Sequence, residues 1–258
     1  MRTPPTPSLS RLRLAPLRSK ESVALDQGGD GIPPFVRWDK FVRDEFDFRQ
    51  GQHVTMVGPS GSGKTTLARK VIDMRLDTVV AATKVKDSSL YGPLRRAGYV
   101  TTDDPELDPD KHPKVIFKPD LSAPTSVGRA AQQEAFRELL IGIFTQGGWC
   151  LYADEVRYLS DYLKLDTELE TLWLQGRSLG VTMVVSTQRP VSIPLVAFDQ
   201  AIHLFLWRNS DRQSVQRMAE FTGEHYDLAR RLIPTLPRHE ALYVNTVTGR
   251  MVRTKVNV

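Results

Sequence analysis

The chain has 258 residues, 40% hydrophobic and 25% charged, which suits one large soluble core. No apolar run reaches the roughly 18 residues of a membrane span, the first residues lack a secretory signal core, and a lone cysteine, Cys150, excludes an intrachain disulfide; a cytoplasmic setting follows. The net charge of +5 gathers at the two ends, in Arg2, Arg11, Arg13, Arg18 and Lys20 and in Arg230, Arg231, Arg238, Arg250, Arg253 and Lys255, as arms for a polyanion or for solubility.

Residues 1–30, basic and rich in Pro, Ser and Thr, read as a disordered tail, and one folded domain is expected over 31–258. His53–Val57 reads as a buried strand, and Leu67, Val71 and Ile72 recur at helical spacing within 66–75. A strand at 78–82 precedes a long polar segment, 83–113, in which Lys84, Lys86, Arg95 and Arg96 give way to Asp103, Asp104, Glu106, Asp108 and Asp110. A connection of that length is functional or mobile. Further strands are predicted at 114–118, 149–153, 181–186 and 201–207. A helix at 126–145 ends at Gly147-Gly148, and another, with Leu165, Leu169, Leu172, Trp173 and Leu179 on one face, ends at Gly180. A helix at 211–221 leads to a hairpin of 241–246 and 250–256 around Thr248-Gly249. Alternating strands and helices define an α/β fold, a mostly parallel sheet with helices on both faces and a C-terminal β-hairpin.

Between the first strand and its helix lies Gly58-Pro59-Ser60-Gly61-Ser62-Gly63-Lys64-Thr65. It meets every fixed position of G-x-x-x-x-G-K-[ST], in the strand–loop–helix setting that the pattern demands. Glycines let the backbone curl until successive N–H groups converge on phosphate oxygens. The helix that continues through Thr66 turns its positive end toward the same anion. Lys64 reaches the β- and γ-phosphates of ATP, and the Thr65 hydroxyl holds Mg²⁺. An ordinary Gly/Ser-rich turn would not need the lysine and threonine at these offsets. Nearby, Trp38 or Phe41 has either a core role or a stacking role on adenine.

Leu151-Tyr152-Ala153-Asp154-Glu155 is an apolar strand ending in two carboxylates, about 90 residues beyond Lys64. Asp154 is expected on Mg²⁺, and Glu155 as the general base that polarises the attacking water. Outside this setting an Asp-Glu pair commonly caps a helix. At the tip of the following strand Gln188 is expected between the carboxylates and the γ-phosphate, donating to phosphate or water. These residues specify ATP hydrolysis on a P-loop NTPase fold of RecA-like order.

The stretch Gln175-Gly176-Arg177-Ser178-Leu179-Gly180, the apolar run 181–185, Ser186-Thr187-Gln188-Arg189-Pro190, and the later strand closing on Arg208-Asn209-Ser210-Asp211 resemble the FtsK/HerA superfamily. These are ring-shaped DNA-pumping ATPases, among them conjugation coupling proteins and viral genome-packaging motors. The resemblance covers roughly 50–222. It implies a homo-oligomeric ring, pentamer or hexamer, non-specific contacts with the DNA backbone, and a portal or docking protein. It also implies that Arg177 projects toward a neighbouring subunit's nucleotide, with Arg189 and Arg208 as fallbacks. The local alternative for Arg177 is complementing a helix dipole. The function so implied is an ATP-driven DNA translocase, specifically a viral DNA-packaging motor in the host cytoplasm. The lack of a membrane span and of an appended DNA-reading domain points to a compact packaging-type or plasmid-type motor. The rivals are a plasmid conjugation-type ATPase, a nucleotide-gated assembly or export factor, and a nucleotide kinase with 84–113 as its lid. An ABC-type ATPase lacks its Leu-Ser-Gly-Gly-Gln element here.

Overall fold

The computed structural model describes residues 31–122 and 125–256; the basic tail expected over 1–30 lies outside them. One ten-stranded sheet organises the described residues. In chain order its strands are β1 (Phe35–Arg37), β2 (His53–Val57), β3 (Thr78–Ala81), β4 (Val100–Thr102), β5 (Lys114–Phe117), β6 (Cys150–Ala153), β7 (Thr182–Thr187), β8 (Ala201–Trp207), β9 (Ala241–Asn245) and β10 (Met251–Lys255). The helices are α1 (Trp38–Asp44), α2 (Lys64–Ile72), α3 (Tyr91–Arg96), α4 (Ser126–Gln146), α5 (Asp166–Gln175), α6 (Val196–Asp199), α7 (Arg212–Glu220) and α8 (Tyr226–Leu232). The strand order is β1-β10-β9-β8-β2-β7-β6-β3-β5-β4. Neighbours run parallel except where β9 meets β8 and β10.

Alternation along the central strands feeds two cores. Val57, Val79, Met183 and Val185 pack with α4 and α5 on one face, around Trp149 and Trp173. Val54, Met56, Val80 and Val184 pack with Leu67, Val71 and Ile72 of α2 on the other. Both faces of these strands are therefore dry, which is why they read as near-continuous apolar runs. Cys150 is buried among them. Asp211 caps α7 by accepting from Ser214 N at 2.9 Å, and Thr125 caps α4 by accepting from Gly128 N at 3.1 Å. No helix among the described residues is long and apolar enough to cross a membrane.

Several expectations are corrected. The 83–113 segment is not one long loop: α3 and β4 lie inside it, anchored by buried Tyr91, Leu94 and Tyr99. Helix α5 stops at Gln175, and a tight turn, Gly176–Leu179, carries the chain to Gly180, whose φ of 70° closes it. Phe41 is fully buried, 5.4 Å from the Phe46 ring and edge-on to Tyr243, and Trp38 packs on it. Of the two roles open to these rings, the core role is the one the structure gives.

Candidate functional site

Parallel strands carry their C-terminal ends to one side of the sheet, where ligands of open α/β folds bind. Here that side gathers the loop after β2, the carboxylates after β6, Gln188 after β7, Trp207 at the end of β8 and Lys84 after β3. Between them opens a cleft of about 370 Å³, lined by the whole of 60–66 together with Lys84, Asp87, Asp154, Gln188, Trp207 and His239.

The loop's glycines are used. Gly61 has φ 72° and Gly63, at the head of α2, φ 108°, values that side chains with a Cβ resist. At Gly58 the constraint is space, because a Cβ there would lie 2.7 Å from Trp207 Cβ. Lys64 is buried, and its Nζ donates to the carbonyls of Gly58 at 2.7 Å and Pro59 at 2.9 Å. Burial pushes its pKa down to about 8, against the pull of Asp154 and Glu155. The Ser62 hydroxyl and the Trp207 indole N–H are buried here without a protein partner among the described residues. Such orphans are rare and mark places where a ligand completes the bonding.

Asp154 is bonded on both carboxylate oxygens. Its Oδ1 accepts from Thr65 Oγ1 at 3.1 Å and from the Tyr152 hydroxyl at 2.7 Å. Its Oδ2 accepts from Lys84 Nζ at 2.5 Å, and the same ammonium reaches Asp87 Oδ2 at 3.1 Å. Burial alone would lower the Lys84 pKa, but its bonds to Asp154 and Asp87 outweigh that and raise it. Glu155 accepts from Thr187 Oγ1 at 3.0 Å and from Gln188 N at 3.3 Å. Burial raises its pKa above the usual carboxylate value, opposed by those two donors, and a carboxylate so raised is a stronger base.

Ser60 to Thr66, Asp154 and Gln188 line this cleft, Gly58 and Pro59 join it through Lys64, and Glu155 stands beside it, bonded to Gln188 N. Arg177 does not join them. It is exposed and packs on Gly51, where a Cβ would lie 3.0 Å from its carbonyl oxygen, and it helps hold down the pKa of His53. Both neighbours stand at the start of β2, at the opposite end of the strand from the phosphate loop. Arg189 and Arg208 are exposed beyond β7 and β8. Four of the cleft residues named above had no role in the phosphate site as read from the sequence: Lys84, Asp87, Trp207 and His239. His239 adopts φ 65°, unusual for a residue with a Cβ, and its Nδ1 lies 3.3 Å from the Ser62 carbonyl oxygen. The signal for Lys84 was its position just past a strand, among charges that read as a solvated loop.

Known proteins resemble this arrangement. A family model described as ABC transporter matches residues 42–140, which include the phosphate loop and stop short of Asp154. No curated protein matches the chain by sequence. Among solved structures, the genome packaging NTPase B204 of Sulfolobus turreted icosahedral virus 2, in complex with ATP-gammaS, aligns with a TM-score of 0.60 and 14% identity, over 82% of this chain and 100% of that one. VirB4 of Thermoanaerobacter pseudethanolicus aligns at 0.59 and 11%, over 80% of this chain and 89% of that one. The cytoplasmic domain of the type VII secretion ATPase EccC of Thermomonospora curvata aligns at 0.52 and 17%, over 81% of this chain and 25% of that one. The fold is that of a P-loop NTPase. Within that class it is the fold that these three structures share.

Proposed function

We propose that the protein is an ATP-hydrolysing motor that acts as a homo-oligomeric ring and drives DNA through it, in the manner of a viral genome-packaging ATPase. One observation carries this reading: a phosphate-loop lysine, a hydroxyl–carboxylate pair and Gln188 line one cleft, with the general base Glu155 bonded to Gln188 beside it, while Arg177 sits at the other end of the sheet.

The residues fit Mg²⁺ and a triphosphate. Thr65 and Asp154 offer hard oxygens 3.1 Å apart. No cluster of three metal-ligating side chains occurs among the described residues, and Mg²⁺ held through nucleotide phosphates needs none. Bound there, Mg²⁺ would neutralise charge on the β- and γ-phosphates. Lys64 exchanges its two carbonyl partners for phosphate oxygens, and Ser62 and Trp207 gain acceptors for their orphaned donors. Glu155, aligned by Thr187 and the Gln188 backbone, takes a proton from the attacking water. The Gln188 side chain orients that water or the γ-phosphate. Arg177 is too remote to serve its own nucleotide, so it completes the site of the next subunit in the ring.

The name of B204 concerns a genome and that of EccC secretion, so the transported polymer separates two readings. Exposed arginines beside the cleft and the basic chain ends favour DNA. The test is ATP turnover of size-resolved oligomers with and without duplex DNA. Stimulation by duplex DNA is expected. Turnover indifferent to DNA but raised by a polypeptide substrate would favour export.

A further inference from the structure

A second cleft, of about 610 Å³, shares Glu155 and Gln188 with the catalytic region and is walled mainly by cations. Arg129, Arg157, Lys164 and Arg189 line it against two acids, Glu155 and Asp161. Asp161 is shared between Arg157 at 3.1 Å and Lys164 at 3.2 Å. Arg129 and Arg189 form no ion pair within 4 Å among the described residues, although the Asp211 carboxylate feels the charge of Arg189 from a distance. Arginines left unpaired around a common hollow make a site for a polyanion.

The cations are held in place. Residues Tyr158–Tyr162 form a π-helical turn, closed by Leu163 N donating to Tyr158 O at 3.0 Å, and such turns recur at functional sites. This turn stacks the Tyr158 and Tyr162 rings 5.1 Å apart. The Arg129 guanidinium lies 4.7 Å from the Tyr162 ring, and the Tyr158 hydroxyl donates to Gln132, one helical turn from Arg129 on α4. Lys164 has φ 57°, a left-handed conformation that brings its ammonium back to Asp161. The rings face each other and Tyr162 faces Arg129, so they orient charge. A cleft walled by such cations suits a phosphodiester backbone.

It is also wired to the base. Arg189 N donates to Thr187 Oγ1 at 3.2 Å, and that hydroxyl donates to Glu155 Oε1 at 3.0 Å. Tyr158 N donates to Glu155 O at 3.0 Å, with Arg157 between the two residues.

We propose that this cleft is a phosphodiester clamp that grips the DNA backbone and, through Thr187 and Arg157, couples that grip to Glu155. This rests on the DNA-motor reading and gives it a contact site beside the catalytic cleft.

The test measures binding of a labelled duplex of about 30 base pairs, and of one of its strands, to the full chain by anisotropy across roughly 50–300 mM salt. The variants are Arg129→Ala/Lys164→Ala and Lys164→Ala alone, the latter an exposed side chain whose loss the fold tolerates. Each lost phosphate contact makes the log–log salt slope shallower by about 0.9 for duplex and about 0.7 for single strand. The double variant is expected to lose about 1.8 or about 1.4 from that slope, to bind at least about tenfold more weakly at low salt, and to keep basal ATP turnover while losing stimulation by DNA. Lys164→Ala gives about half the slope change. A shift with either strand form supports the clamp and names the form gripped. Wild-type slope and stimulation in both variants would overturn the clamp and leave the motor reading standing. A wild-type chain that binds neither form at low salt would overturn both.

Discussion

At the scale of single residues, Lys84 holds the oxygen that a metal would claim. Its ammonium lies 2.5 Å from Asp154 Oδ2, so a divalent cation arriving beside Thr65 meets a positive charge already in place. The Lys84 side chain is 42% exposed, and an ion pair open to water to that degree contributes about 1 kcal/mol. Lys84→Met keeps the aliphatic stem and deletes the competitor. The Mg²⁺ concentration that half-saturates binding of a fluorescent ATP analogue should fall about fivefold, the equivalent of that energy. An unchanged midpoint would show that the ammonium does not compete. Glu155→Gln should act differently. It keeps the size of the side chain and an oxygen for Thr187, so ATP binding persists, but turnover drops by at least about a hundredfold with the base gone. Equal steady-state turnover would remove Glu155 from the mechanism. The contrast between these residues shows what a sequence carries. Lys64, Thr65, Asp154 and Glu155 were legible because their spacing along the chain is itself the chemistry. Lys84 was not, because its role depends on β3 pairing with β6 in the register Ala81↔Ala153, a contact between segments far apart in the chain.

At the scale of elements, the central strands were legible because burial on both faces makes them continuous apolar runs. The pieces missed are short: β1 and β4 have three residues each, α6 four, α3 six including Gly92 and Pro93, and α1 and α8 seven each. Each is fixed by what it packs against and not by a periodic pattern of its own. Two buried histidines tie the strands together and make the fold sensitive to acid. His53 on β2 accepts from Met183 N at 3.0 Å on Nδ1 and donates from Nε2 to Trp173 O at 3.2 Å, so its neutral form is the one bonded. His203 on β8 accepts from the Tyr243 hydroxyl at 2.9 Å and donates to Gln52 Oε1 at 3.0 Å. Burial pushes their pKa values down to about 4 and about 3. The unfolded chain takes up both protons near pH 6.5 and the folded chain does not. Stability from these residues is therefore complete above about pH 6.5 and is lost as pH falls toward 4, at about 1.4 kcal/mol per pH unit for each histidine. The urea midpoint should drop clearly between pH 7.5 and pH 5. A flat midpoint would mean that neither imidazole stays neutral in the fold.

At the scale of the whole molecule, the sheet separates two halves of the proposed chemistry. The cleft occupies the C-terminal ends of the parallel strands, and Arg177 packs on Gly51 at the start of β2. That separation was not legible in the sequence, because Arg177 and the Thr-Gln-Arg-Pro element lie close along the chain and only the direction of β7 parts them. On the proposed ring reading a subunit completes a catalytic site only with a neighbour, and mixing mutants tests it. Arg177→Ala subunits keep an intact phosphate loop and should bind ATP, yet hydrolyse little, since the neighbour's γ-phosphate loses its charge partner. Lys64→Ala subunits lose their own nucleotide contact and keep Arg177 to offer. Mixed at a concentration where rings assemble and exchange subunits, some interfaces join an intact loop to an intact arginine, and turnover should exceed that of either mutant alone. Failure to recover, with mixed rings shown to form, would assign Arg177 a local role at the β2 end of the sheet or require coordination around the whole ring. Titrating Arg177→Ala into the native protein then separates those cases. Independent sites lose activity in proportion to the mutant fraction. A ring that fires only when every interface is complete loses it more steeply, because one mutant subunit silences all the others.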